Sequence, residues 1–331
     1  MCKFPDRNLR LALQENRIIE SQWVVSSMNV KKKNYILLKA RNKSRMGMAF
    51  VFPAFIFVFA FMIYPLITSF YYSFTKYNYA YDDHPVYCGI TNYLDAFKDK
   101  TFLLTIKNTF TFASMYFVLV IVAGFSIALL LFYFKGRGGA FFRTMIFLPT
   151  VVPISLAAIL FNWIFAEHFG LLNYFLGSVL GLPGLTRGWL TNHTTAMLAV
   201  IVVTIWNTLG FQTILFLSGI QSVPSDMLEA AKIDGAGTFQ TIFKIILPNL
   251  RETFVITSIW AILTGLKVFV QPSVMTGGAP GNSTRVMYMH IYDTAFVNYN
   301  MGYASALGFI LSAIVLCFSL LTIKMNRDKE E

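Results

Sequence analysis

Residues 105–134 read TIKNTFTFASMYFVLVIVAGFSIALLLFYF, and only Lys107 among these 30 residues carries a charge. As an α-helix this stretch is about 45 Å long, which exceeds the roughly 30 Å of hydrocarbon in a bilayer. A helix is required because lipid offers no partner for backbone N–H and C=O groups, and the stretch lacks the alternation of a membrane barrel strand. The sequence therefore predicts a membrane-spanning helix here.

Five further apolar stretches of at least 20 residues accompany this one. Composition agrees, since 56% of the chain is hydrophobic, 13% is charged and the mean hydropathy is +0.59, whereas soluble proteins carry roughly 25% charged residues. We predict an all-α polytopic membrane protein with six transmembrane helices. The other five stretches are 47–74, 140–165, 195–221, 251–276 and 301–323.

Lysine and arginine are distributed unevenly between the two sides of the predicted spans. The N-terminal segment, the second and fourth connections and the C-terminal tail together hold twenty of them, and the other side holds five. The positive-inside rule then places both termini in the cytoplasm. Anionic lipid of the inner leaflet suffices to explain the net charge of +11, so we predict a membrane-lipid contact and no nucleic-acid partner.

Three regions follow from this pattern: a basic cytoplasmic tail at 1–46, a six-span domain at 47–325 and a short cytoplasmic tail at 326–331. The first tail lacks the apolar core of a cleavable signal peptide, so the first span is expected to direct insertion. The sequence leaves open whether translation begins at Met1 or at Met28, which precedes three lysines. The three cysteines are too far apart in sequence to indicate a disulfide framework or a metal cluster.

The predicted spans lack the groups that ion-driven carriers and membrane hydrolases use. Glu252 is the only Asp, Glu or His within them, and it lies at the entrance of the fifth span. The histidines fall in or beside the outer connections without metal-ligand spacing, so we interpret them as surface residues: His84, His168, His193 and His290. No P-loop is present, so any ATP must be bound by another subunit. We predict no metal site and no cofactor.

The connection at 222–250, termed the coupling loop below, contains SDMLEAAKIDGAGTFQTIFKIILP at 225–248. We predict two short helices, the first capped by Ser225 and ended by Gly235 at positive φ. Apolar residues spaced three and four apart predict the second helix, which Pro248 should end before the chain returns to the membrane. Such a slim rigid hairpin suits insertion into a groove on a cytoplasmic partner.

This connection resembles the coupling loop of ABC importer permeases, E-A-A-x-x-D-G-A followed by I-x-L-P. The opening is carried by Glu229, Ala230, Ala231, Asp234, Gly235 and Ala236, and the ending by Ile245, Leu247 and Pro248. One departure is Ile242, where the family usually has Phe. Four further stretches resemble the first of the two permeases in bacterial sugar-uptake systems: 143–153, 170–173, 217–224 and 276–280.

The resemblance implies a type I ABC importer permease fold in the bacterial cell membrane and a non-enzymatic role. It also implies four partners: a different second permease, two cytoplasmic ATPases that bind the ATP, and an extracytoplasmic sugar-binding protein. Glu229 is then expected to pair with a basic group in the ATPase groove. Two rivals stay open, namely a permease for another small solute such as an amino acid or phosphate ester, and a polytopic membrane enzyme or channel.

Candidate pathway residues lie in the fourth and fifth spans. Helical spacing places polar groups and one ring on a single face of the fourth span, which suits hydroxyl hydrogen bonds and sugar stacking: Thr204, Asn207, Thr208 and Phe211. The matching face of the fifth span carries Thr264, Gly265, Lys267, Val268 and Gln271. The resemblance implies that all of these residues except Lys267 and Gln271 contact the sugar. The alternative is that such groups hold helices together.

Lys267 is a cation deep within a predicted span, where an unpaired charge costs at least about 2.5 kcal/mol. No acidic residue of this chain's spans is placed to pair with it. Three explanations remain open: a carboxylate on the second permease, a water-filled cavity, or a substrate that brings negative charge, such as a uronic-acid oligosaccharide.

Overall fold

The structure, a computed structural model, describes residues 50–134 and 138–327. The chain divides into two compact units, Met1–Thr68 and Ser69–Glu331. The predicted tail at 1–46 lies outside the described residues, as do residues 328–331. The last helix continues to Arg327, two residues beyond the predicted end of the membrane domain.

The described elements are almost entirely helical, with one two-stranded hairpin whose register pairs Thr75 with Tyr87. In chain order they are α1 (Phe50–Ser73), β1 (Thr75–Lys76), β2 (Val86–Tyr87), α2 (Thr91–Ala96), α3 (Lys100–Tyr133), α4 (Gly139–Val151), α5 (Ile154–Ile164), α6 (Leu171–Tyr174), α7 (Ala196–Gln221), α8 (Ser225–Ile233), α9 (Thr238–Thr241), α10 (Leu247–Asn249), α11 (Arg251–Leu266), α12 (Val270–Met275), α13 (Met287–Tyr292) and α14 (Met301–Arg327).

Five helical stretches are long and apolar enough to cross a membrane, and a sixth results if the bent pair α4 and α5 is counted as one span. The predicted six-helix architecture is thus confirmed, with the third span broken by 97°. The second span begins at Lys100, five residues before the predicted start, because Asp99 caps it by accepting hydrogen bonds from the N–H groups of Thr101 and Phe102 at 2.8 and 3.2 Å.

In the second unit, α3 and α7 form the centre, with α4 and α11 packed against them. Tyr116 of α3 and Val203 of α7 are fully buried in the main apolar cluster. A second cluster joins the end of α7 to the coupling loop through Phe216, Ile220 and Leu250. The membrane helices therefore share one continuous packing with the coupling loop.

The close approach of neighbouring helices depends on small residues. A Cβ added to Gly265 of α11 would lie 2.9 Å from the Ala113 Cα of α3, and one added to Gly210 of α7 would lie 2.4 Å from the Ile146 carbonyl oxygen of α4. Small residues allow this backbone approach, as in many membrane bundles.

Candidate functional site

The first half of the coupling loop is a helix closed by a tight glycine turn. Gly235 has φ +75°, and the N–H groups of Gly235 and Ala236 donate to the carbonyls of Lys232 and Ala231 at 3.2 and 2.9 Å. These two bonds form a Schellman motif, which satisfies the last carbonyls of α8. The predicted positive φ at Gly235 is confirmed.

The predicted N-cap of α8 is wrong by one residue. Pro224 occupies the cap position, and Ser225 is the first helical residue. The Ser225 hydroxyl donates to Asp226 Oδ1 at 3.3 Å instead of accepting a backbone N–H. Asp226 still lies in the first turn, where its negative charge is favourable beside the helix dipole.

The second half of the loop stays helical past the proline that was expected to end it. Pro248 lies inside α10, after a π-helical turn at Ile242–Ile246. In that turn the Leu247 N–H donates to the Ile242 carbonyl, five residues back. This wider turn gives the proline ring room that an α-helix would deny. The chain instead reverses toward the membrane at Leu250, whose φ and ψ are −89° and 8°.

The coupling loop has one anchored side and one exposed side. Ile246 and Leu250 are fully buried and Ala231 is 8% exposed. On the other side, Glu229, Ala230, Asp234 and Gly235 are exposed, and Ala236 is half-buried. Three large apolar side chains share this exposure, at 85, 78 and 62%: Ile233, Phe239 and Phe243. Sequence reasoning overlooked Ile233, whose place between the two motif acids gives no burial signal.

In the fourth span, the residues of the predicted pathway face differ in burial: one is fully buried and the others are partly exposed. Thr204 is fully buried and its hydroxyl donates to the Val200 carbonyl at 2.9 Å, so in this structure it packs between helices, and its contact with a sugar stays a prediction. Thr208 is half-buried and its Oγ1 lies 2.8 Å from the Tyr116 hydroxyl of α3. Phe211 is half-buried and its ring centre lies 4.7 Å from that of Trp260.

Asn207 of the same helix contacts the broken third span. Its Nδ2 donates to the carbonyls of Pro149 and Val152, both at 2.9 Å. Pro149 and Pro153 lie one turn apart at this point, and the third span is broken there by 97°. The break has a physical cause: Val152 is extended, with ψ 124°, so the helix stops there and restarts after Pro153.

In the fifth span, the predicted common face does not exist, because the helix is interrupted. Lys267 ends α11, and Phe269, with φ −146°, precedes α12. The interruption rotates the following residues, so Val268 and Gln271 are 4 and 8% exposed while Lys267 is exposed. Gly265 is buried against Ala113. Gly265, Val268 and Gln271 are therefore buried in this chain, and their pathway contacts stay a prediction.

Two residues of that predicted set, Thr264 and Lys267, are at least partly exposed at the surface of this chain. Thr264 is half-buried, with its hydroxyl donating to the Trp260 carbonyl at 2.9 Å. Lys267 forms no salt bridge with any residue that the structure describes. The three explanations for this cation therefore remain those given by the sequence.

One buried amide was missed by sequence reasoning. Gln212 of α7 is fully buried, and its Nε2 donates to the Thr257 carbonyl of α11 at 3.3 Å. Its Oε1 has no partner among the described residues. The available signal was a glutamine in the middle of an apolar run, where polar groups are rare.

A polar cluster lies where α13 meets the start of α3. His290 Nε2 lies 3.3 Å from Asp99 Oδ2, which also accepts the Tyr303 hydroxyl at 3.2 Å. Arg285 pairs with Asp293 beside it. The His290 side chain is 12% exposed, so its interpretation as a surface residue is wrong. No three His, Cys, Asp or Glu side chains of the described residues are grouped for a metal.

Burial shifts the titration of this cluster. Burial lowers the pKa of His290, outweighing the attraction of the Asp99 carboxylate, and the Arg285 charge lowers it further. For Asp99, burial alone raises the pKa, but hydrogen bonds from the Phe102 and Thr101 N–H groups and the nearby His290 together hold it below the ordinary value. At neutral pH the pair is thus an ionised carboxylate beside a neutral imidazole.

Residues 120–327 match the family described as binding-protein-dependent transport system inner membrane component, which is more than half of the chain. The chain belongs to this family. The permease is 32% identical to the probable ABC transporter permease protein YurN of Bacillus subtilis (strain 168), over 85% of this chain and 96% of that protein. It is 34% identical to the multiple sugar-binding transport system permease protein MsmF of Streptococcus mutans, over 86 and 96% of the two chains.

A solved structure shows the same fold. In the crystal structure of a bacterial ABC transporter involved in the import of the acidic polysaccharide alginate, one chain matches the permease with a TM-score of 0.78 and 23% identity. The match covers 88% of this chain and 98% of that one. The predicted ABC importer permease fold is confirmed, and the protein is a multi-pass membrane component of a transport system rather than an enzyme.

Proposed function

We propose that this permease forms one half of the translocation pathway of a sugar or oligosaccharide importer. A different second permease completes the pathway, two cytoplasmic ATPases bind the ATP, and an extracytoplasmic binding protein delivers the sugar. Both termini lie in the cytoplasm. The sugar class is supported by the sugar permease among the relatives and by the four sequence stretches that resemble sugar permeases.

The observation that carries the proposal is the exposed side of the coupling loop. Ile233, Phe239 and Phe243 expose large apolar surfaces on a hairpin whose other side is buried against the membrane helices. Several large apolar side chains exposed on one short connection indicate an interaction site. Together with the exposed Glu229, it suits a groove with an apolar floor and a basic group at its edge.

Such docking transmits force because the loop is stiff. Its two hairpin arms are held by the glycine turn at Gly235, and its base is fixed by the fully buried Ile246 and Leu250. Movement of the ATPases would therefore move α7 and α11, between which the loop lies, as packed bodies rather than bend a flexible linker.

Disulfide cross-linking tests the proposal in the assembled transporter. Cysteine replaces Ile233 in a chain whose native cysteines are serine, and single cysteines are placed along the ATPase surface cleft. We expect a cross-link that ATP weakens or shifts to another ATPase position. Tyr81, which is 83% exposed near the β hairpin, supplies the control position and should give no ATPase cross-link. Cross-linking from Tyr81 but not from Ile233 would refute the assignment.

A further inference from the structure

We infer that Asn207 is a positioning residue that holds the broken third span at its working angle and links that angle to the coupling loop through α7. The inference rests on the proposed function, since it assigns a role to this break in transport. It differs from the sequence prediction, in which Asn207 contacts the sugar.

The hydrogen bonds identify what Asn207 does. Where α4 ends, its last carbonyls lose their α-helical partners, since Pro153 has no N–H to offer, and the Pro149 carbonyl keeps one backbone hydrogen bond, from the Val152 N–H at 3.2 Å. In a membrane, carbonyls without partners are strongly disfavoured. Both hydrogens of the Asn207 amide are directed at this gap, one to the Pro149 oxygen and one to the Val152 oxygen at 2.9 Å each. The bent conformation is therefore stabilised by a side chain of another helix.

The part of α7 that carries Asn207 is packed tightly against neighbouring helices. One turn further on, Gly210 lies directly against the α4 backbone at Ile146, which prevents α4 from sliding toward α7. One residue from Asn207, Thr208 pairs with Tyr116 of α3 at 2.8 Å. Asn207 cannot move away from the break without moving α7 itself.

The same helix leads to the coupling loop without interruption. From Asn207 to the end of α7 at Gln221 the helix spans about 21 Å, and only three residues separate this end from α8. Ile220 is buried with Ile246 and Leu250 of the coupling loop. A displacement of the loop thus reaches the Pro149 and Val152 carbonyls through one stiff helix.

The test compares Asn207→Leu, which keeps the size but removes both donors, with the matched control Asn162→Leu. Asn162 of α5 also donates from an amide to a carbonyl, that of Val274 at 3.1 Å, but away from the break. Spin labels at Phe142 of α4 and Leu160 of α5, both exposed, report the bend in the full transporter in nanodiscs, with Cys2, Cys88 and Cys317 replaced by serine. Transport and ATP hydrolysis are measured in liposomes.

For Asn207→Leu we expect a label-to-label distance distribution at least twice as broad as in the parent, and at least fivefold more ATP hydrolysed per sugar transported. Asn162→Leu should stay within twofold of the parent in both. Parental width and parental coupling ratio in Asn207→Leu would overturn the inference, and so would a broadened bend with an unchanged ratio. If Asn207→Leu does not assemble, Asn207→Gln, which keeps the donors but displaces them by a methylene, should give intermediate values; parental values would overturn the inference.

A parent transporter that moves no sugar would instead count against the proposed function. The distance measurement needs no transport and still decides whether Asn207 holds the bend.

Discussion

Amide side chains at several points of this permease donate to backbone carbonyls at helix ends and in turns. Asn207 does so at the third-span break, and Asn108 of α3 donates to the carbonyls of Asn282 and Arg285 at 2.7 and 2.9 Å. One NH2 group satisfies two acceptors in each case. Single polar residues thus allow irregular backbone in and near a lipid environment.

At Gly235 we predict that valine uncouples transport. A β-branched residue at φ +75° is strained by about 1 to 2 kcal/mol or more, so the turn between α8 and α9 should distort. Stimulation of ATPase activity by sugar-loaded binding protein should fall at least fivefold in reconstituted complexes, while membrane insertion is unchanged.

Gly237→Val is the control for that experiment. Gly237 lies two residues further on at φ −69° and ψ 164°, a conformation that valine readily adopts, and no atom lies within 4 Å of an added Cβ. Equal losses for the two variants would show that the left-handed turn at Gly235 is not the cause.

For His290 we predict a stability that falls in mild acid. Because burial holds its folded-state pKa below 6.5, the unfolded chain binds more protons as the pH drops below about 6.5. Stability is therefore complete above that pH and declines below it, and the lowered pKa of Asp99 continues the decline below about pH 4. The melting temperature of the purified complex between pH 7.5 and 5 measures the first part.

The variants His290→Gln and His84→Gln separate this histidine from the others. His290→Gln should flatten the decline between pH 6.5 and 5, whereas His84→Gln, at an exposed position, should leave it unchanged. A steep decline that persists in His290→Gln would assign the effect to other groups.

At the scale of elements, two of the described membrane helices are interrupted, and a proline accompanies each interruption. Pro149 and Pro153 indicate a bend in the third span, but their spacing does not specify that Val152 becomes extended. In the fifth span, Pro272 lies in the first turn of α12, where it cannot donate to the Val268 carbonyl, so this break also had a sequence signal. The predicted face of the fifth span assumed a continuous helix up to this proline, and the helix is interrupted there.

In the coupling loop, one element boundary was predictable from the sequence and another was not. The reversal at Gly235 was predictable because few residues other than glycine adopt its φ. Continuation of the helix through Pro248 was not predictable, since it requires the π-turn before it, and no residue pattern indicates such a turn. The motif thus predicted the hairpin but not where its second helical arm ends.

Cysteine accessibility tests the orientation of the elements. Cys88 lies between β2 and α2, in the connection that we expect outside the cell. A membrane-impermeant maleimide should modify Cys88 in intact, wall-stripped cells. Cys2 should react only after the membrane is opened. Cys317, within α14 at membrane depth, serves as the internal control and should stay unmodified, and modification of Cys2 from outside would reverse the topology.

For the whole molecule, the number of spans and the family were predictable from the sequence, because apolar length and a conspicuous loop motif are local properties. The burial of each candidate pathway residue was not, because it depends on which polar residues α3, α4 and α11 cover. Thr204 and Asn207 share one helical face in sequence, yet one is fully buried and the other is directed at a carbonyl pair.

Charge selectivity of the whole transporter is the remaining prediction. If the exposed Lys267 faces a pathway that carries an anionic sugar, Lys267→Met should reduce uptake of that sugar at low ionic strength at least tenfold more than uptake of a neutral analogue. Lys107→Met, which removes an exposed lysine of the second span, controls for loss of a positive charge.

Equal loss of both sugars in Lys267→Met would indicate an ion pair with the second permease. Full uptake of the natural substrate by this variant would exclude Lys267 from the pathway. Uptake of radiolabelled sugar into whole cells, normalised to the amount of assembled complex, distinguishes these outcomes.

The break in the third span also constrains biogenesis. The Pro149 and Val152 carbonyls are 58 and 55 residues away from the amide that satisfies them, so during synthesis they leave the ribosome well before Asn207 exists. Neither α4 nor α5, at about 20 and 16 Å, is long enough to cross the bilayer alone. We therefore expect the third segment to integrate stably only once the fourth has arrived, with the two segments entering the membrane as a single unit.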